Sequence, residues 1–109
     1  MQHPSSDVPM RKLQDVVQQW ADRYWGGAYW PPHANLARLI EEVGEVARAV
    51  NQAHGPKRIK PDEAAASLTE EFGDTLFVLL CLANSLDVDM QAAFEATLEK
   101  YRVRDEGGE

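Results

Sequence analysis

Apolar side chains recur every three or four residues along most of the chain, which is the spacing of helices that bury one face. Glycine and proline pairs interrupt this pattern, and no stretch shows the strict alternation of a half-buried β-strand. The pattern predicts helices over residues 10–24, 34–53, 61–86 and from 90 onwards. We therefore expect an all-α fold, a bundle of four or five helices.

The predicted helices fit one domain, because the chain has only 109 residues. We place this domain at residues 10–104, between a flexible N-terminal tail at 1–9 and a polar C-terminal tail at 105–109. Within the third helix the run LFVLLCLA is apolar on all sides. A chain this short can hardly cover such a helix alone, so we expect a homodimer or homotetramer.

Two further apolar stripes are expected to face the core. The stripe of the second helix is Leu36, Leu39, Ile40, Val43, Val46, Ala47 and Val50. The inner face of the fourth helix is predicted to be Met90, Ala93, Phe94, Thr97, Leu98 and Tyr101. Phe72 marks the corresponding apolar seam on the third helix.

Acidic residues outnumber basic ones by 18 to 11, and the net charge is −7. This balance argues against a protein that coats nucleic acid, since phosphate backbones need a basic face. No apolar run reaches the roughly 18 residues of a membrane span, and the first residues lack the apolar segment of a secretory signal. We expect a cytoplasmic protein whose partners include neither a nucleic-acid polymer nor a membrane.

One acidic pattern occurs twice, as EEVGEV and EEFGDT, each time within a predicted helix. Each copy contains two acids three residues apart, Glu42 with Glu45 and Glu71 with Asp74. Residues at this spacing are neighbours on a helix surface, and at about 100° per residue both pairs stand at the same angle from the apolar seam of their helix. If the two helices pack antiparallel, the four carboxylates share one small volume.

Such a cluster needs protons or a cation. Two like charges ~4 Å apart cost about 4 kcal/mol at an effective dielectric of 20, and a whole domain is stable by only ~5–15 kcal/mol. Carboxylate oxygens suit Mg²⁺ or Mn²⁺, and Mg²⁺ sites are often completed by substrate phosphates. The pattern therefore favours metal-dependent phosphate chemistry, against the alternative of two solvated acidic faces. Gly44 and Gly73 are either tolerated helix glycines or mark a close helix approach beside the metal.

The two motifs, in this order and at this separation, resemble the EExxE and ExxD signature of MazG-like nucleotide pyrophosphohydrolases, members of the all-α NTP pyrophosphatase superfamily. The likeness extends over about residues 10–105 and is strongest to the short, single-domain bacterial branch. It implies Mg²⁺-dependent hydrolysis of nucleoside triphosphates, with deoxynucleotides expected, to the monophosphate and pyrophosphate. It also implies a house-cleaning role and assembly as tight dimers, often paired into tetramers.

The same resemblance assigns roles to five acids. Glu42, Glu45, Glu71 and Asp74 match the positions that hold Mg²⁺, for which Mn²⁺ is a possible substitute. Glu41 matches the glutamate that is associated with a further metal ion or with activating the attacking water.

Substrate contacts are expected outside these motifs. By the resemblance, Lys100 and Arg104 match residues of the last helix that contact phosphates, although Arg102 stands where an asparagine is expected. Trp25 and Trp30 flank a Gly-Gly break and either stack on a base or anchor a dimer interface.

Other polar residues have simpler interpretations. Lys57, in a basic loop, either meets the triphosphate or is solvated. Asn35 and Asn84 lie near helix ends, where capping or local hydrogen bonding is expected. Cys81 lies in the apolar run and is interpreted as a structural buried thiol.

Two other functions stay open at this point. One is a pyrophosphohydrolase of the same superfamily that is specific for dUTP, dCTP or phosphoribosyl-ATP. The other is a non-catalytic helical interaction module with a metal-stabilised core, which would gain stability from Mg²⁺ and turn over no nucleotide.

Overall fold

This computed structural model describes residues 8–55 and 65–107, and within those ranges it contains four α-helices and no β-strand. The helices are α1 (Met10–Tyr24), α2 (Pro32–His54), α3 (Leu68–Ser85) and α4 (Met90–Glu106). The all-α class predicted from the sequence is confirmed. Lys57, predicted to meet phosphate, lies outside the described residues.

The sharp break between α1 and α2 follows from two glycines and two prolines. Gly26 and Gly27 have φ angles of 67° and 81°, a left-handed conformation that L side chains rarely adopt. The backbone N–H of Gly27 donates to the carbonyl of Ala21 at 2.9 Å and closes the last turn of α1. Pro31 precedes α2 and Pro32 begins it, where the first turn leaves backbone N–H groups unpaired in any case.

The predicted start of α3 near Pro61 lies outside the described residues, but residues 65–67 are not helical and the described helix begins at Leu68. The side-chain oxygen of Ser67 accepts a hydrogen bond from the backbone N–H of Glu70 at 3.1 Å, so Ser67 caps the helix. A proline is tolerated in a first turn but satisfies no backbone donor there, whereas the cap does. The cap therefore fixes the start of α3.

The start of α4 is capped in the same way by Asp89, whose carboxylate accepts from the N–H of Ala92 at 3.1 Å and from the guanidinium of Arg11 at 2.9 Å. This ion pair joins α1 to α4. The helix continues through Glu106, into the predicted C-terminal tail. In the described residues no single helix is long and apolar enough to cross a membrane; α3 and α4, bent by 105° at their connection, pass that test only as a pair.

α2 packs along α3, α1 packs on α3, and α4 rests on α1. The centre of this arrangement is a small apolar cluster of Val17, Leu80 and Cys81. Beside it, the buried Gln14 amide donates to the side-chain oxygen of Asn84 at 2.9 Å and accepts from the N–H of Met90 at 2.8 Å. These side-chain hydrogen bonds of Gln14 thus join α1 to the turn between α3 and α4.

The apolar stripes expected in the core are largely exposed in the single chain. Val43 is 52% exposed and Phe72 58%, and α4 has no buried residue. The buried positions of α2 are instead Asn35, Glu42 and Ala49, which recur every seven residues on one face. A helix buries the face that its neighbour covers, and α3 covers this polar face rather than the apolar stripe.

The molecule exposes more surface than a compact chain of its size. Its accessible area is 8322 Å², against about 6,100 Å² for a compact monomer of this mass. The radius of gyration is 17.2 Å, against about 13 Å for a compact chain of this length. Both values are for the whole chain of 109 residues, and the uncovered apolar faces are evident from individual residues of the described helices, such as Ile40, Phe72 and Phe94.

Candidate metal centre and the adjoining cavity

Three of the predicted acids come together where α2 packs on α3. Glu42, Glu71 and Asp74 each place a carboxylate oxygen within 4.8 Å of the other two. Thr75 contacts both helices at this level, because its single hydroxyl proton is shared between the Glu71 carbonyl at 2.8 Å and the Glu42 carbonyl at 3.3 Å. Glu42 is buried, Glu71 is half-buried and Asp74 is exposed, so the group opens to solvent on one side.

The carboxylates act on one another electrostatically. The pKa of the Glu71 carboxyl is raised above its ordinary value, first because the group is partly desolvated. Repulsion from Glu45, Asp74, Glu70 and Glu42 raises it further, in that order. The centre thus concentrates negative charge, which a cation would relieve.

The donor set fits a hard divalent ion. Two oxygens bound to one Mg²⁺ at 2.0–2.1 Å lie at most about 4.2 Å apart, so small side-chain rotations are enough to bring the three carboxylates onto a single ion. All the donors are carboxylate oxygens, which suit Mg²⁺ or Mn²⁺. Glu42, Glu71 and Asp74 would hold such an ion and leave its remaining positions to water or phosphate oxygens.

The other two predicted acids lie outside this group. Glu45 is exposed, and its carboxylate accepts a hydrogen bond from Nε of Arg48 at 3.3 Å. Its charge nevertheless reaches Glu71, whose pKa it raises. Glu41 is exposed on α2 and, within the described ranges, makes no hydrogen bond or ion pair.

Lys100 and Arg104 do not meet these acids within the protomer. Both lie on α4, whose main packing contact is with α1, whereas the acids lie between α2 and α3. The Arg104 guanidinium stacks 4.7 Å from the ring centre of Tyr101 and bonds Asp105 at 2.8 Å, and the Lys100 ammonium lies 5.1 Å from the same ring. Their predicted phosphate contacts have no support from one chain alone.

A cavity of about 500 Å³ adjoins the acids, enclosed by the α1–α2 connection, α2 and α3. Trp25, Tyr29, Trp30 and Phe77 form its aromatic lining, so the structure brings the two predicted tryptophans to one site. The Trp25 ring meets those of Tyr29 and Phe77 edge-on, with centres 6.3 and 6.1 Å apart. Trp30 is 59% exposed and has no ring partner in the described residues.

Hydrogen bonds fix the orientation of one cavity wall. Nδ2 of Asn84 donates to the Tyr29 hydroxyl at 3.0 Å, and that hydroxyl donates to Gln18 at 2.8 Å. Asn84 also donates to the backbone carbonyl of Gln14. Its role is therefore to join distant segments, not the local one expected. Burial raises the pKa of both Tyr29 and the Cys81 thiol at the cavity wall, and Cys81 is buried as expected.

Two cavity residues, Arg38 and Asn35, were not predicted to act at the site. Nε of Arg38 donates to the Glu42 carboxylate at 2.6 Å, so this side chain links the cavity to the acids. Asn35, for which capping or local hydrogen bonding is predicted, is buried on the cavity wall, and its Nδ2 has no hydrogen-bond partner in the described part of the chain. The sequence carries weak signals for both, because Arg38 precedes Glu42 by four residues and Asn35 by seven.

This chain is similar to known proteins in both sequence and structure. The family model of the MazG nucleotide pyrophosphohydrolase domain matches residues 31–108, which include all the acids discussed above. The chain belongs to the MazG nucleotide pyrophosphohydrolase family. This membership implies a hydrolase that acts on the pyrophosphate bonds of nucleotides, and MazG domains generally use divalent metals.

Individual relatives agree with the family match. The uncharacterized protein YpjD of Bacillus subtilis is 44% identical to this chain, over 92% of this chain and 89% of YpjD. The uncharacterized protein YvdC of the same organism is 31% identical, over 81% of this chain and 92% of YvdC. The crystal structure of YpjD matches with a TM-score of 0.76 over 88% of this chain and 97% of that one. That of the Bacillus-conserved MazG protein, a nucleotide pyrophosphohydrolase, matches at 38% identity with a TM-score of 0.73, over 88% and 92% of the two chains.

Proposed function

We propose that this protein hydrolyses nucleoside triphosphates, with deoxynucleotides as the expected substrates, to the monophosphate and pyrophosphate in a Mg²⁺-dependent reaction. The observation that carries this proposal is the convergence of Glu42, Glu71 and Asp74 across the α2–α3 contact. Three carboxylates this close are unfavourable unless a cation joins them, and a Mg²⁺ site open on one side suits phosphate oxygens. Mn²⁺ is expected to substitute.

Four of the five acids are metal ligands in this proposal, and the fifth positions the attacking water. Glu42, Glu71 and Asp74 hold the ion. Glu45 becomes the fourth ligand when its side chain rotates away from Arg48, because the surface ion pair between these two residues is weak. When bound, the ion neutralises phosphate charge and lowers the pKa of a bound water. Glu41 positions the attacking water, since its carboxylate is exposed and engaged by no other described side chain.

The base of the nucleotide lies in the aromatic cavity. Trp25 and Trp30 are the stacking residues, and stacking on an aromatic ring is worth about 1–3 kcal/mol per base in single-strand binders. Arg38 lines this cavity and bonds Glu42, so the cavity and the acids form one continuous site. Lys100, Arg104 and Lys57 as phosphate contacts, and the cytoplasmic location, stay predictions.

A homo-oligomer is part of the proposal. The accessible surface exceeds that of a compact monomer by about 2,200 Å². Large apolar side chains are exposed on α2, α3 and α4, among them Ile40, Phe72 and Phe94. A second copy is the partner that the resemblance implies. The apolar run of α3 is mostly covered within the protomer, and only Leu76 of that run is exposed to such a partner.

The test is a panel of ribo- and deoxynucleoside triphosphates, with phosphoribosyl-ATP, incubated with Mg²⁺. Pyrophosphate and monophosphate should appear in equal amounts, with no diphosphate or inorganic phosphate, and chelation by EDTA should stop the reaction. Turnover of a single member of the panel would instead identify a specific dUTPase, dCTPase or phosphoribosyl-ATP hydrolase.

The matched control is Glu71→Gln against Glu70→Gln, neighbours in one acidic motif of which only Glu71 belongs to the cluster. Loss of pyrophosphate release in the first variant alone would assign the activity to this site. If the wild type gains thermal stability from Mg²⁺ but releases pyrophosphate from no nucleotide, the protein is an interaction module and the proposal fails.

A further inference from the structure

One side chain of the aromatic cavity has no hydrogen-bond partner although it is buried. Asn35 is 6% exposed on the cavity wall, and among the described residues nothing accepts from its Nδ2. A buried amide N–H without an acceptor destabilises a fold, and native structures contain few such groups. A leucine would occupy a similar volume on α2 without this cost. Nδ2 itself is almost inaccessible in the empty cavity, so an acceptor that enters from outside would pair with it after a small rotation of the Asn35 side chain.

The position of Asn35 indicates which part of a nucleotide it meets. Asn35 and Glu42 lie on the same buried face of α2, two helical turns or about 10.5 Å apart along the axis. Arg38 lies between them and contacts Glu42. A nucleotide with its phosphates at the acids would pass its sugar along Arg38 and turn its base toward Asn35. The base edge farthest from the sugar then meets the Asn35 amide.

The cavity walls leave room for a flat ring in this position. Trp25, Tyr29 and Phe77 hold one another edge-on, and Tyr29 is fixed further by its hydrogen bonds to Asn84 and Gln18. Trp30 is mostly exposed and stacks on no described ring, so it can close over a base that enters. Stacking accepts any base, whereas a buried hydrogen-bonding group rejects a ligand that leaves it unpaired.

We infer that Asn35 selects the base by donating Nδ2–H to a carbonyl oxygen on the edge farthest from the sugar. This inference rests on the proposed function and names its substrate class, the 4-oxo pyrimidines and 6-oxo purines: uracil, thymine, guanine and hypoxanthine. Cytosine and adenine carry an amino group at that place. With the amide oriented as in this structure, they would leave Nδ2 unpaired and set a second donor against it.

The test measures nucleoside binding by quenching of tryptophan fluorescence, because Trp25 and Trp30 line the cavity. Nucleosides carry no phosphate, so they can be titrated in EDTA without repulsion from the acids. Uridine should bind more tightly than cytidine, and inosine more tightly than adenosine, by about 10-fold or more in each pair. Equal affinities within both pairs for the wild-type protein would overturn the inference without any variant.

Three variants separate recognition from folding. Asn35→Leu should bring both affinity ratios close to one while raising the melting temperature, since it removes a buried unpaired donor. Asn35→Asp, which only accepts, should reverse the ratios in favour of cytidine and adenosine. Asn51→Leu, the same change at an exposed position of α2, should leave both ratios as in the wild type. If Asn35→Leu alters the oligomeric mass by light scattering and keeps the ratios, Asn35 serves an interface and the inference is wrong.

Failure of the proposed reaction gives a different result. One outcome is that no nucleotide releases pyrophosphate, while the wild type still prefers uridine and inosine and Asn35→Leu loses this preference. That outcome supports base selection by Asn35 and contradicts the proposed hydrolysis. If pyrophosphate is released from uracil and cytosine nucleotides alike, by the wild type and by Asn35→Leu, hydrolysis stands and base selection falls.

Discussion

Glu71 is the residue at which repulsion among the acids is most evident. Its carboxyl is raised in pKa by partial desolvation and by four acidic neighbours on two helices. Removing its charge, or that of Asp74, should affect the metal-bound and metal-free protein in opposite ways. The ion loses a ligand, whereas the metal-free fold loses a repulsion.

We therefore expect Glu71→Gln and Asp74→Asn each to lower pyrophosphate release at least about 100-fold, the range for groups that stabilise a transition state electrostatically. In EDTA the melting temperature of both variants should rise above that of the wild type. Parallel activity assays and thermal melts measure the two effects. Wild-type turnover in either variant would exclude that residue from the metal group.

Stability should also depend on pH through Glu71. A carboxyl whose pKa is higher in the folded than in the unfolded state stabilises the fold below its ordinary value of 4.5, and that contribution is lost as pH rises through the folded pKa. In EDTA the urea midpoint should therefore fall as pH increases above 4.5, and less so in Glu71→Gln. Saturating Mg²⁺ should reverse the slope, because it binds the ionised carboxylates. An identical pH profile in the wild type and Glu71→Gln would contradict this account.

The sequence reveals these acids but not the residues beside them. Glu42, Glu71 and Asp74 could be predicted because their spacing repeats on two helices. For Asn35 and Arg38 the helical spacing from Glu42 is too weak a signal to predict a role, since an unpaired amide or a cavity wall exists only after α2, α3 and the α1–α2 connection have packed. The inclusion of Glu45 in the metal group remains a prediction, because in this structure its carboxylate bonds Arg48.

At the scale of elements, local chemistry sets where helices begin and end. Glycine and proline pairs predicted the limits of α1 and α2 to within a few residues, because they act through their own backbone. The start of α3 depends instead on a single serine hydroxyl, and many serines in a sequence cap nothing. Which face of α2 would be buried could not be predicted either, because the covering face belongs to another element.

The cap of α3 is directly testable. Ser67→Ala removes the acceptor for the Glu70 N–H and should lower the free energy of unfolding by about 1 kcal/mol. Ser67→Asp should retain most of the stability, since a carboxylate accepts the same bond and favours the helix N-terminus. Urea denaturation measures both. Thr69→Ala, at an exposed position of the first turn, is the control. An equal loss in Thr69→Ala would show that the hydrogen bond of Ser67 is not the cause.

At the scale of the whole molecule, the exposed surface suggests that one chain is not the functional unit. Ile40 is 64% exposed, Val43 52% and Leu36 43%, and together they form an apolar row on the side of α2 away from α3. A Cβ added at Gly44 or Gly73 would meet no atom within 4 Å, so neither glycine marks a close helix approach inside the protomer. Together with the exposed apolar side chains of α3 and α4, this row offers the apolar surface that a subunit interface would bury.

We expect the wild-type protein to have the mass of a dimer or tetramer by light scattering, and Ile40→Glu to shift it toward the monomer. The reason is that the new carboxylate would be buried without a partner in the middle of the apolar row, which association then cannot tolerate. Gln19→Glu adds the same charge at an exposed polar position of α1 and should leave the mass unchanged. The helical circular dichroism of Ile40→Glu should persist, because this side chain packs little within its own chain. A wild-type protein that stays monomeric at micromolar concentration would mean that the apolar row serves no second copy, and the assembly would then have to be abandoned while the metal centre of the single chain stands.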